Sequence, residues 1–349
     1  MSYRVWAGAL LALVCVAGTG CDMRTTRIPE HNTDAAVEHY VQAKLHSQEG
    51  QTDAALASLR EAISSDPRLA IAHETMGDIH RRRQAYDLAA RNYEQACSIN
   101  PYGFRNHYNL GVTYTFLANA ADSVQQAKEY VRKAVGVYLR AITIDKDDYD
   151  ANLNLSACYY RLGRHEQAEY YCKQAIRIRP DNGGAYSNLG AIYDAQDRPY
   201  KAISAYKHAI ERDPDLPRLR LNLGQTYLRQ GTKSSLQAAA DLFAKSAKRN
   251  PYDSEPLQLL GLARFYLEDL DASRSAYQAA LKLNKDSAPA WRGLGAVLMR
   301  MHLKTKDTAL QDRALDAWQR SLEIDDRQPR LRKLLREFSP RIEGPTLGE

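Results

Sequence analysis

Residues 183–216 read GGAYSNLGAIYDAQDRPYKAISAYKHAIERDPDL, and these 34 residues decide the fold. Large residues recur at helical spacing, at Leu189 and Tyr193 in the first half and at Tyr206 in the second. Small residues lie between them, and Pro214 closes the stretch, because proline cannot continue a helix. The pattern predicts two helices joined by a short turn, after which the chain starts again.

The same pattern returns along the chain with a fixed period. Pro67 and Pro101 are 34 residues apart, and so are Pro180 and Pro214. The string Asn-Leu-Gly occurs three times, at residues 109–111, 188–190 and 222–224. A period of this length is typical of stacked helix pairs.

These residues resemble the tetratricopeptide repeat, which has large, small and proline residues at fixed positions of a 34-residue frame. The opening stretch fits that frame fully, with Tyr186, Leu189, Gly190, Tyr193, Ala202, Tyr206, Ala209 and Pro214. The resemblance implies an all-α fold, an α-solenoid with a right-handed superhelix, of about eight helix pairs and a C-terminal capping helix. The repeats fall near residues 36–69, 70–103, 104–148, 149–182, 183–216, 217–253, 254–287 and 288–328.

The third, sixth and eighth repeats carry insertions of 11, 3 and 7 residues at the turn within the pair. Such insertions often mark a binding edge, and tolerated loop growth is an equal alternative. Residues 329–338 have the apolar spacing of an amphipathic helix and predict the cap, while residues 339–349 predict a disordered tail.

Residues 1–20 predict a secretory signal peptide, because Arg4 precedes an apolar run that ends in small residues before Cys21. The run is shorter than the about 20 residues that span a bilayer, although an N-terminal transmembrane anchor is the alternative. The end of the segment resembles the lipobox of bacterial lipoproteins, except that Gly18 stands where the family usually has leucine. The resemblance implies cleavage before Cys21 and lipidation of that residue with acyl chains such as palmitate.

A lipid anchor of this kind predicts a place in the bacterial cell envelope, on the periplasmic side. Residues 21–35 are polar and predict a linker between Cys21 and the repeats. Asp22 resembles the inner-membrane retention signal of enterobacterial lipoproteins, a rule that does not transfer safely to other bacteria. The sequence therefore leaves the choice between inner and outer membrane open.

Composition excludes several classes of protein. The 349 residues are 44% hydrophobic, which excludes wholesale disorder, and 5 cysteines are too few for a disulfide-stapled miniprotein. A net charge of +6 gives little support for a nucleic-acid partner. The sequence has no glycine-rich nucleotide loop and no zinc-ligand motif, so we expect no cofactor, no metal, no small-molecule substrate and no enzymatic activity. We interpret Cys158 and Cys172 as free buried thiols, with a disulfide between them as the alternative.

The candidate site is the inner surface of the solenoid, which the first helix of each pair lines in this architecture. Four successive repeats have asparagine at the same inward position: Asn109, Asn154, Asn188 and Asn222. We call this set the asparagine ladder. An asparagine side chain offers both a donor and an acceptor, so it can pair with the backbone of an extended peptide. The ladder resembles the one in the superhelix of O-linked GlcNAc transferase. In the alternative interpretation, these side chains bridge neighbouring repeats or face solvent.

Arginine and aromatic residues, which are enriched at binding hot spots, surround the ladder. They are Arg105, Tyr108, Tyr160, Arg161, Arg218, Arg229, Phe265, Tyr266, Arg292 and Arg300. Six arginines against three acids at the inward positions of repeats 3 to 8 favour acidic or carboxylate-bearing peptides.

Together these features predict a membrane-anchored scaffold or adaptor that binds protein or peptide partners in its groove. The alternative is a non-catalytic subunit of an envelope glycosyltransferase, secretion or pilus-assembly complex. The two differ in whether the chain has several partners or one fixed partner.

Overall fold

The computed structural model of the chain describes residues 32–216 and 218–339, and seventeen helices, α1 to α17 in chain order, occupy these ranges. The first helices of eight consecutive pairs are α1 (Thr33–Gln48), α3 (Ala70–Arg82), α5 (Phe104–Ala120), α7 (Tyr149–Arg161), α9 (Gly183–Ala195), α11 (Leu219–Gln230), α13 (Glu255–Tyr266) and α15 (Ala288–Thr305). The second helices are α2 (Thr52–Ser65), α4 (Tyr86–Ile99), α6 (Val124–Ile144), α8 (His165–Ile178), α10 (Pro199–Arg212), α12 (Lys233–Arg249), α14 (Leu270–Leu283) and α16 (Thr308–Ile324). The last helix is α17 (Pro329–Phe338). The prediction of an all-α fold of eight helix pairs and a final helix is confirmed.

The chain divides into two compact units, one ending at Ala72 and one beginning at His73. In the described part of the first unit, α1 packs on α2 through small residues. Ala36 and Ala43 of α1 are buried, as are Ala55, Leu59 and Ala62 of α2. Small side chains let the two helix backbones approach closely, which is how this pair forms a core from few atoms.

In the second unit, every second helix except α8 presses an aromatic ring against a glycine of its own first helix. A Cβ atom added to Gly111 would lie 2.6 Å from the ring of Tyr138, and one added to Gly77 would lie 2.8 Å from the ring of Tyr93. The same relationship joins Gly190 to Tyr206, Gly224 to Phe243, Gly261 to Tyr277 and Gly295 to Trp318. The rings of Tyr93 and Tyr138 are fully buried. Much of the tyrosine content of the chain, 22 residues against 5 phenylalanines, thus belongs to the core.

The turns within the pairs use a left-handed backbone conformation. Glycine supplies it without strain at Gly163, where φ is +73°, and at Gly231, where φ is +68°. Gln84 and Asp197 adopt φ values of +60° and +55° at the equivalent position of their repeats. The repeat geometry therefore imposes this conformation even where the sequence has no glycine.

The insertions do not form enlarged loops, so the interpretation of tolerated loop growth is wrong. In the third repeat the extra residues lengthen both helices, so that α5 has 17 residues and α6 has 21, joined by residues 121–123. In the eighth repeat α15 has 18 residues and α16 has 17. The inserted segments are rich in alanine, glutamine and lysine, which favour helix, so they extend the helical hairpins.

Helix α1 begins at Thr33, three residues before the predicted start of the first repeat at 36. The side chain of Asn32 caps this helix by accepting a hydrogen bond from the backbone N–H of Ala35, at 3.1 Å. The predicted signal peptide, the predicted lipidation site at Cys21 and the predicted tail after Ser339 lie outside the described residues. Among the helices of residues 32–216 and 218–339, none combines the length and apolar character needed to cross a membrane.

Candidate functional site

The candidate site lies in the second unit, on the surface that successive first helices share, which we call the first-helix face. A pocket of about 540 Å³ on this face spans three first helices, α7, α9 and α11. The lining residues are Tyr160, Ala191, Asp194, Ala195, Tyr206, Asn222, Gln225, Leu228 and Arg229. Three of the predicted site residues, Tyr160, Asn222 and Arg229, therefore converge on one pocket.

Asp194 of α9 organises the floor of this pocket. Its Oδ2 atom accepts hydrogen bonds from the hydroxyls of Tyr206, at 3.2 Å, and Thr226, at 2.7 Å. The guanidinium of Arg229 forms an ion pair with Oδ1. Asp194 thus joins α9, α10 and α11 and is neutralised by Arg229. Burial, followed by the charge of Asp194, raises the pKa of Tyr206, so its hydroxyl stays protonated as a donor.

The open polar groups of the pocket are amides. Within the described residues no side-chain hydrogen bond involves the amide groups of Asn222 or Gln225, and both side chains are half-buried. Asn188, on the same face of α9, is exposed and is likewise without a side-chain partner there. Tyr160 is 40% exposed beside them. Unpaired amides next to an accessible ring can bind a peptide backbone and one apolar side chain.

The other half of the asparagine ladder connects neighbouring repeats. The side-chain amide of Asn109, which is buried, donates to Asp78 at 3.5 Å. The amide of Asn154 donates to the hydroxyl of Tyr108 at 3.5 Å. The alternative interpretation of the ladder therefore describes Asn109 and Asn154, while Asn188 and Asn222 keep their amides open.

The arginines predicted to attract acidic peptides are already paired. Arg105 contacts Glu74 at 2.8 Å and Asp78 at 3.0 Å. Arg218 and Glu255 form two parallel hydrogen bonds of 2.9 Å. Arg300 contacts Glu268 at 2.8 Å, and Arg229 contacts Asp194 as described above. The predicted positive bias of this face is therefore largely neutralised, and the inferred preference for acidic peptides loses its physical basis here.

Arg218 also departs from its predicted place. It precedes α11 as the N-cap residue and has a left-handed conformation with φ of +62°, so it is not on the first helix of its repeat. A first-helix position for Arg218 was expected because the repeat frame starts at residue 217. Its role is to tie the start of α11 to Glu255 at the start of α13.

The remaining predicted residues lie outside the pocket. Arg161 donates to the backbone carbonyl of Ala118 at 3.4 Å, and Tyr108 stacks on Phe104 with ring centroids 5.9 Å apart. Arg292 donates to the side chain of Gln328 at 2.8 Å. Phe265 and Tyr266 form an edge-to-face pair at 6.0 Å. These residues hold repeats together or lie elsewhere on the face.

Sequence reasoning counted Asp194 and Glu255 but missed the other acids that pair with the arginines. Asp78 and Glu74 lie in the second repeat, which the count of charges over repeats 3 to 8 left out. Glu268 lies in a turn, outside the inward positions of the frame. A count of charged residues over all repeats and their turns would have found that acids balance the arginines of this face.

The two cysteines of the fourth repeat are free thiols, as interpreted from the sequence. Burial raises the pKa of Cys158 to about 11 and that of Cys172 to about 12. The thiol of Cys172 donates to the backbone carbonyl of Ala185 at 3.2 Å. Across residues 32–216 and 218–339, no cluster of histidine, cysteine and acidic side chains has the arrangement of a metal site.

A second depression lies at the inserted helices of the third repeat. It has a volume of about 460 Å³ and lies between the turn that precedes α4 and the ends of α5 and α6. Its lining residues are Gln84, Ala85, Tyr86, Asp87, Leu88, Leu117, Ala120, Ala121, Asp122, Gln126 and Tyr130. Tyr86 stacks on Phe116 with ring centroids 4.9 Å apart at this edge. The insertion edge therefore has a cleft of its own, and the side chains of Gln84 and Gln126 line it.

The helix pairs, their glycine–aromatic contacts and their shared face define a helical repeat protein of the protein-interaction class. Models of the tetratricopeptide repeat match residues 39–69, 147–215 and 259–322, and a further model of the same repeat matches residues 77–115 and 200–231. Together the matches cover more than half of the chain, which belongs to the tetratricopeptide repeat family. A comparison with curated protein sequences finds none that matches.

Solved structures of other proteins are similar to this chain at low sequence identity. The crystal structure of PilW, a widely conserved type IV pilus biogenesis factor, is 22% identical, with 64% of this chain and 98% of PilW covered and a TM-score of 0.50. YrrB, a repeat protein with an unusual peptide-binding site, is 22% identical over 56% of this chain and 95% of its own, with a TM-score of 0.49. A MamA protein is 18% identical over 52% of this chain and 93% of its own, with a TM-score of 0.47.

Proposed function

We propose that this protein is a non-catalytic scaffold that binds an extended segment of a partner protein on its first-helix face. The observation that carries the proposal is the pocket across α7, α9 and α11, where the amides of Asn222 and Gln225 are open beside the ring of Tyr160. Side-chain amides can form hydrogen bonds with a peptide backbone of any sequence, and the ring offers contact area for one side chain. With Asp194 and Arg229 paired to each other, the pocket favours neutral segments.

We further propose that lipid on Cys21 anchors the scaffold in the bacterial cell envelope, on the periplasmic side. The support for this proposal is the resemblance of the N-terminal segment to a lipoprotein signal. Several acyl chains on one residue give stable anchoring, since each buried CH₂ group contributes about 0.8 kcal/mol. Cys21→Ala should abolish lipidation and cleavage of the precursor. A variant that still fractionates like a lipidated protein would refute the anchor.

The binding proposal is tested by crosslinking in native membranes. A photocrosslinking amino acid at position 225, in the pocket, should capture a partner, whereas the same group at exposed position 207 on α10 should not. Tyr160→Ala combined with Asn222→Ala should reduce capture about tenfold, because hot-spot residues carry most of the binding energy. Tyr252→Ala is the matched control, since this tyrosine is 89% exposed and lies outside the pocket.

Equal capture at positions 225 and 207 would refute the first-helix face as the binding surface. The identity of the captured protein also separates the two functional hypotheses. Several substoichiometric partners support an adaptor. One stoichiometric partner supports a fixed subunit of an envelope complex.

A further inference from the structure

A second groove lies in the second unit, between α14 and α16, and it is larger than the pocket of the first-helix face. Its volume is about 910 Å³. The lining residues are Gln278, Leu281, Lys282, Lys285, Trp291, Leu294, Leu298, Arg313, Asp316, Ala317 and Arg320. We call it the α14–α16 groove. Two second helices form its walls, and the first helix α15 contributes to its floor, so it is separate from the site proposed above.

The floor of the groove is apolar. It consists of Leu281 from α14, Leu294 and Leu298 from α15 and Ala317 from α16, all largely buried. Ala317 contributes only a methyl group, which leaves the floor open between the two walls. Trp291 is fixed at one end, because its indole N–H donates to the backbone carbonyl of Lys285 at 2.8 Å. A half-buried indole beside leucines offers contact area for an apolar ligand surface.

The rim of the groove is basic. Four cations line it, Lys282, Lys285, Arg313 and Arg320, against one acid, Asp316. Arg320 pairs with Glu323 at 2.8 Å. The other three cations form no ion pair with any residue of the described ranges, and all three are exposed. This arrangement is the reverse of the first-helix face, where the arginines are neutralised by their own chain.

The repeat itself does not require this charge. Lys285 stands at the frame position where five other repeats have proline, namely Pro67, Pro101, Pro180, Pro214 and Pro251. At this position the seventh repeat therefore has a cation where those five repeats have proline, and the third repeat also has a lysine there, Lys146. A cation here lies beside Lys282 on the groove and strengthens its positive potential.

We propose that the α14–α16 groove binds an acidic amphipathic helix of a partner protein. The apolar stripe of such a helix would face the leucines and Trp291, and its glutamates or aspartates would face Lys282, Lys285 and Arg313. Helices with apolar residues at i, i+3, i+4 and i+7 bind in apolar grooves in this way. Complementary charge around the groove sets the orientation and the association rate of the helix.

The test uses the full chain and a fluorescently labelled synthetic peptide of about 16 residues, long enough to form a helix once bound. The peptide has leucines on one helical face and glutamates on the flanks. A control peptide has the same composition in an order that leaves no apolar face. Fluorescence anisotropy should show that the first peptide binds and the control does not. Binding should weaken as salt rises, because the rim charges are exposed.

The variant Lys282→Glu combined with Arg313→Glu should weaken binding of the amphipathic peptide by about tenfold or more, since it places like charges opposite the glutamates. Both side chains are exposed, so the fold should be retained, which far-UV circular dichroism checks. The matched control is Lys207→Glu combined with Lys245→Glu, on α10 and α12, which makes the same change in net charge away from the groove. This control should leave binding unchanged.

Three results would overturn the proposal. The control peptide could bind as tightly as the amphipathic one, which would show that net charge alone causes the binding. The two double variants could weaken binding equally, which would show that the peptide responds to the net charge of the protein and does not bind in the groove. Truncation after Ser339 could raise the affinity about tenfold, which would assign the groove to the chain's own C-terminal residues. Unchanged affinity on truncation supports a partner helix.

Discussion

Tyr206 occupies the space that a side chain at Gly190 would need. A Cβ atom built on Gly190 would lie 2.5 Å from the ring carbon Cε1 of Tyr206, and the tyrosine is 1% exposed. The ring can lie flat against the backbone of α9 because the facing residue has no side chain. Its hydroxyl then reaches Asp194, at 3.2 Å, on the same helix. One contact therefore links the core of the repeat to the floor of the proposed binding pocket.

We predict that Gly190→Ala lowers the free energy of unfolding by about 1–3 kcal/mol, the usual cost of overpacking a core. Gly136→Ala is the matched control, because Gly136 also lies in a helix but has no atom within 4 Å of its Cβ position. That change should stabilise the protein by about 0.5–1 kcal/mol through helix propensity. Urea unfolding followed by circular dichroism measures both. Stabilisation by both substitutions would show that the ring of Tyr206 yields freely.

In the fourth repeat, the first-helix residue of this core contact is larger than glycine, and the second-helix residue is smaller than an aromatic ring. Ser156 stands where six other repeats have glycine, and Cys172 stands where those repeats have an aromatic ring. Both are fully buried, or nearly so, and the hydroxyl of Ser156 donates to the backbone carbonyl of Ala168 at 2.8 Å. The larger first-helix residue is thus matched by a smaller second-helix residue.

We predict strong coupling between these two positions. Cys172→Tyr should destabilise the protein by about 1–3 kcal/mol because the ring would meet the side chain of Ser156. Adding Ser156→Gly should recover part of that loss, and a double-mutant cycle in urea would measure a coupling energy of about 0.5–3 kcal/mol. Additive effects would mean that the two side chains do not compete for one space.

The core contacts could be predicted from the sequence because they repeat. Glycine and an aromatic residue recur at fixed positions of the period, so each repeat supports the assignment of the others. The candidate binding surface does not repeat in this way. Asn154 and Asn188 occupy the same frame position, yet the first donates to Tyr108 and the second is exposed. The residue on the preceding repeat decides between these outcomes, and the frame does not specify it.

The charges of the first-helix face illustrate the same limit of prediction. Arg105 and Arg229 were expected to face a ligand, and both contact carboxylates of a neighbouring repeat. Their partners lie 31 and 35 residues earlier in the chain, at positions that the frame leaves variable. The α14–α16 groove was not predicted because it depends on a small residue, Ala317, between two walls.

We predict that Cys158 and Cys172 do not react with iodoacetamide at pH 8 in the folded protein. Burial raises the pKa of their thiols to about 11 and about 12, so almost no reactive thiolate forms at that pH. Both should react fully in urea. Mass spectrometry of the labelled peptides measures the result. Labelling in the folded state, or a mass two daltons lower than that of the reduced protein, would contradict two free buried thiols.

Glu169 makes the stability of the second unit depend on pH. Burial acts to raise the pKa of this carboxyl, but hydrogen bonds from Lys173 and Gln196 and the positive charges of Lys173 and Arg198 outweigh it, so the pKa is lowered from its ordinary value of 4.5. Lys173 and Arg198 contact it at 2.7 and 2.8 Å. A lowered pKa in the folded state means that Glu169 stabilises the fold above about pH 4.5 and loses this effect as pH falls through the folded pKa.

We therefore predict that Glu169→Gln destabilises the protein at pH 7 and that its difference from the wild type shrinks as the pH falls toward 3. Urea unfolding at several pH values measures this difference. Glu129→Gln is the control, because Glu129 is 63% exposed and lies 3.9 Å from its nearest cation. A difference between wild type and Glu169→Gln that stays constant with pH would refute the ionic contribution of Glu169.

The asparagine ladder should separate into a structural half and a binding half. Asn109→Ala removes the donor that reaches Asp78 from a buried position, so we expect a loss of about 0.5–1.5 kcal/mol in the free energy of unfolding. Asn188→Ala removes an exposed amide without a partner among the described residues, so stability should change by less than about 0.5 kcal/mol.

The effects of these substitutions on partner capture should be the reverse of their effects on stability. Asn188→Ala and Asn222→Ala together should weaken capture by the photocrosslinker at position 225, because both amides are open to a peptide backbone. Asn109→Ala should leave capture unchanged at temperatures where it is folded, since its amide is occupied by Asp78. If the Asn109 variant lost capture while the Asn188 and Asn222 variant kept it, the ladder would bind through its bridged half, and the open amides would have no part in recognition.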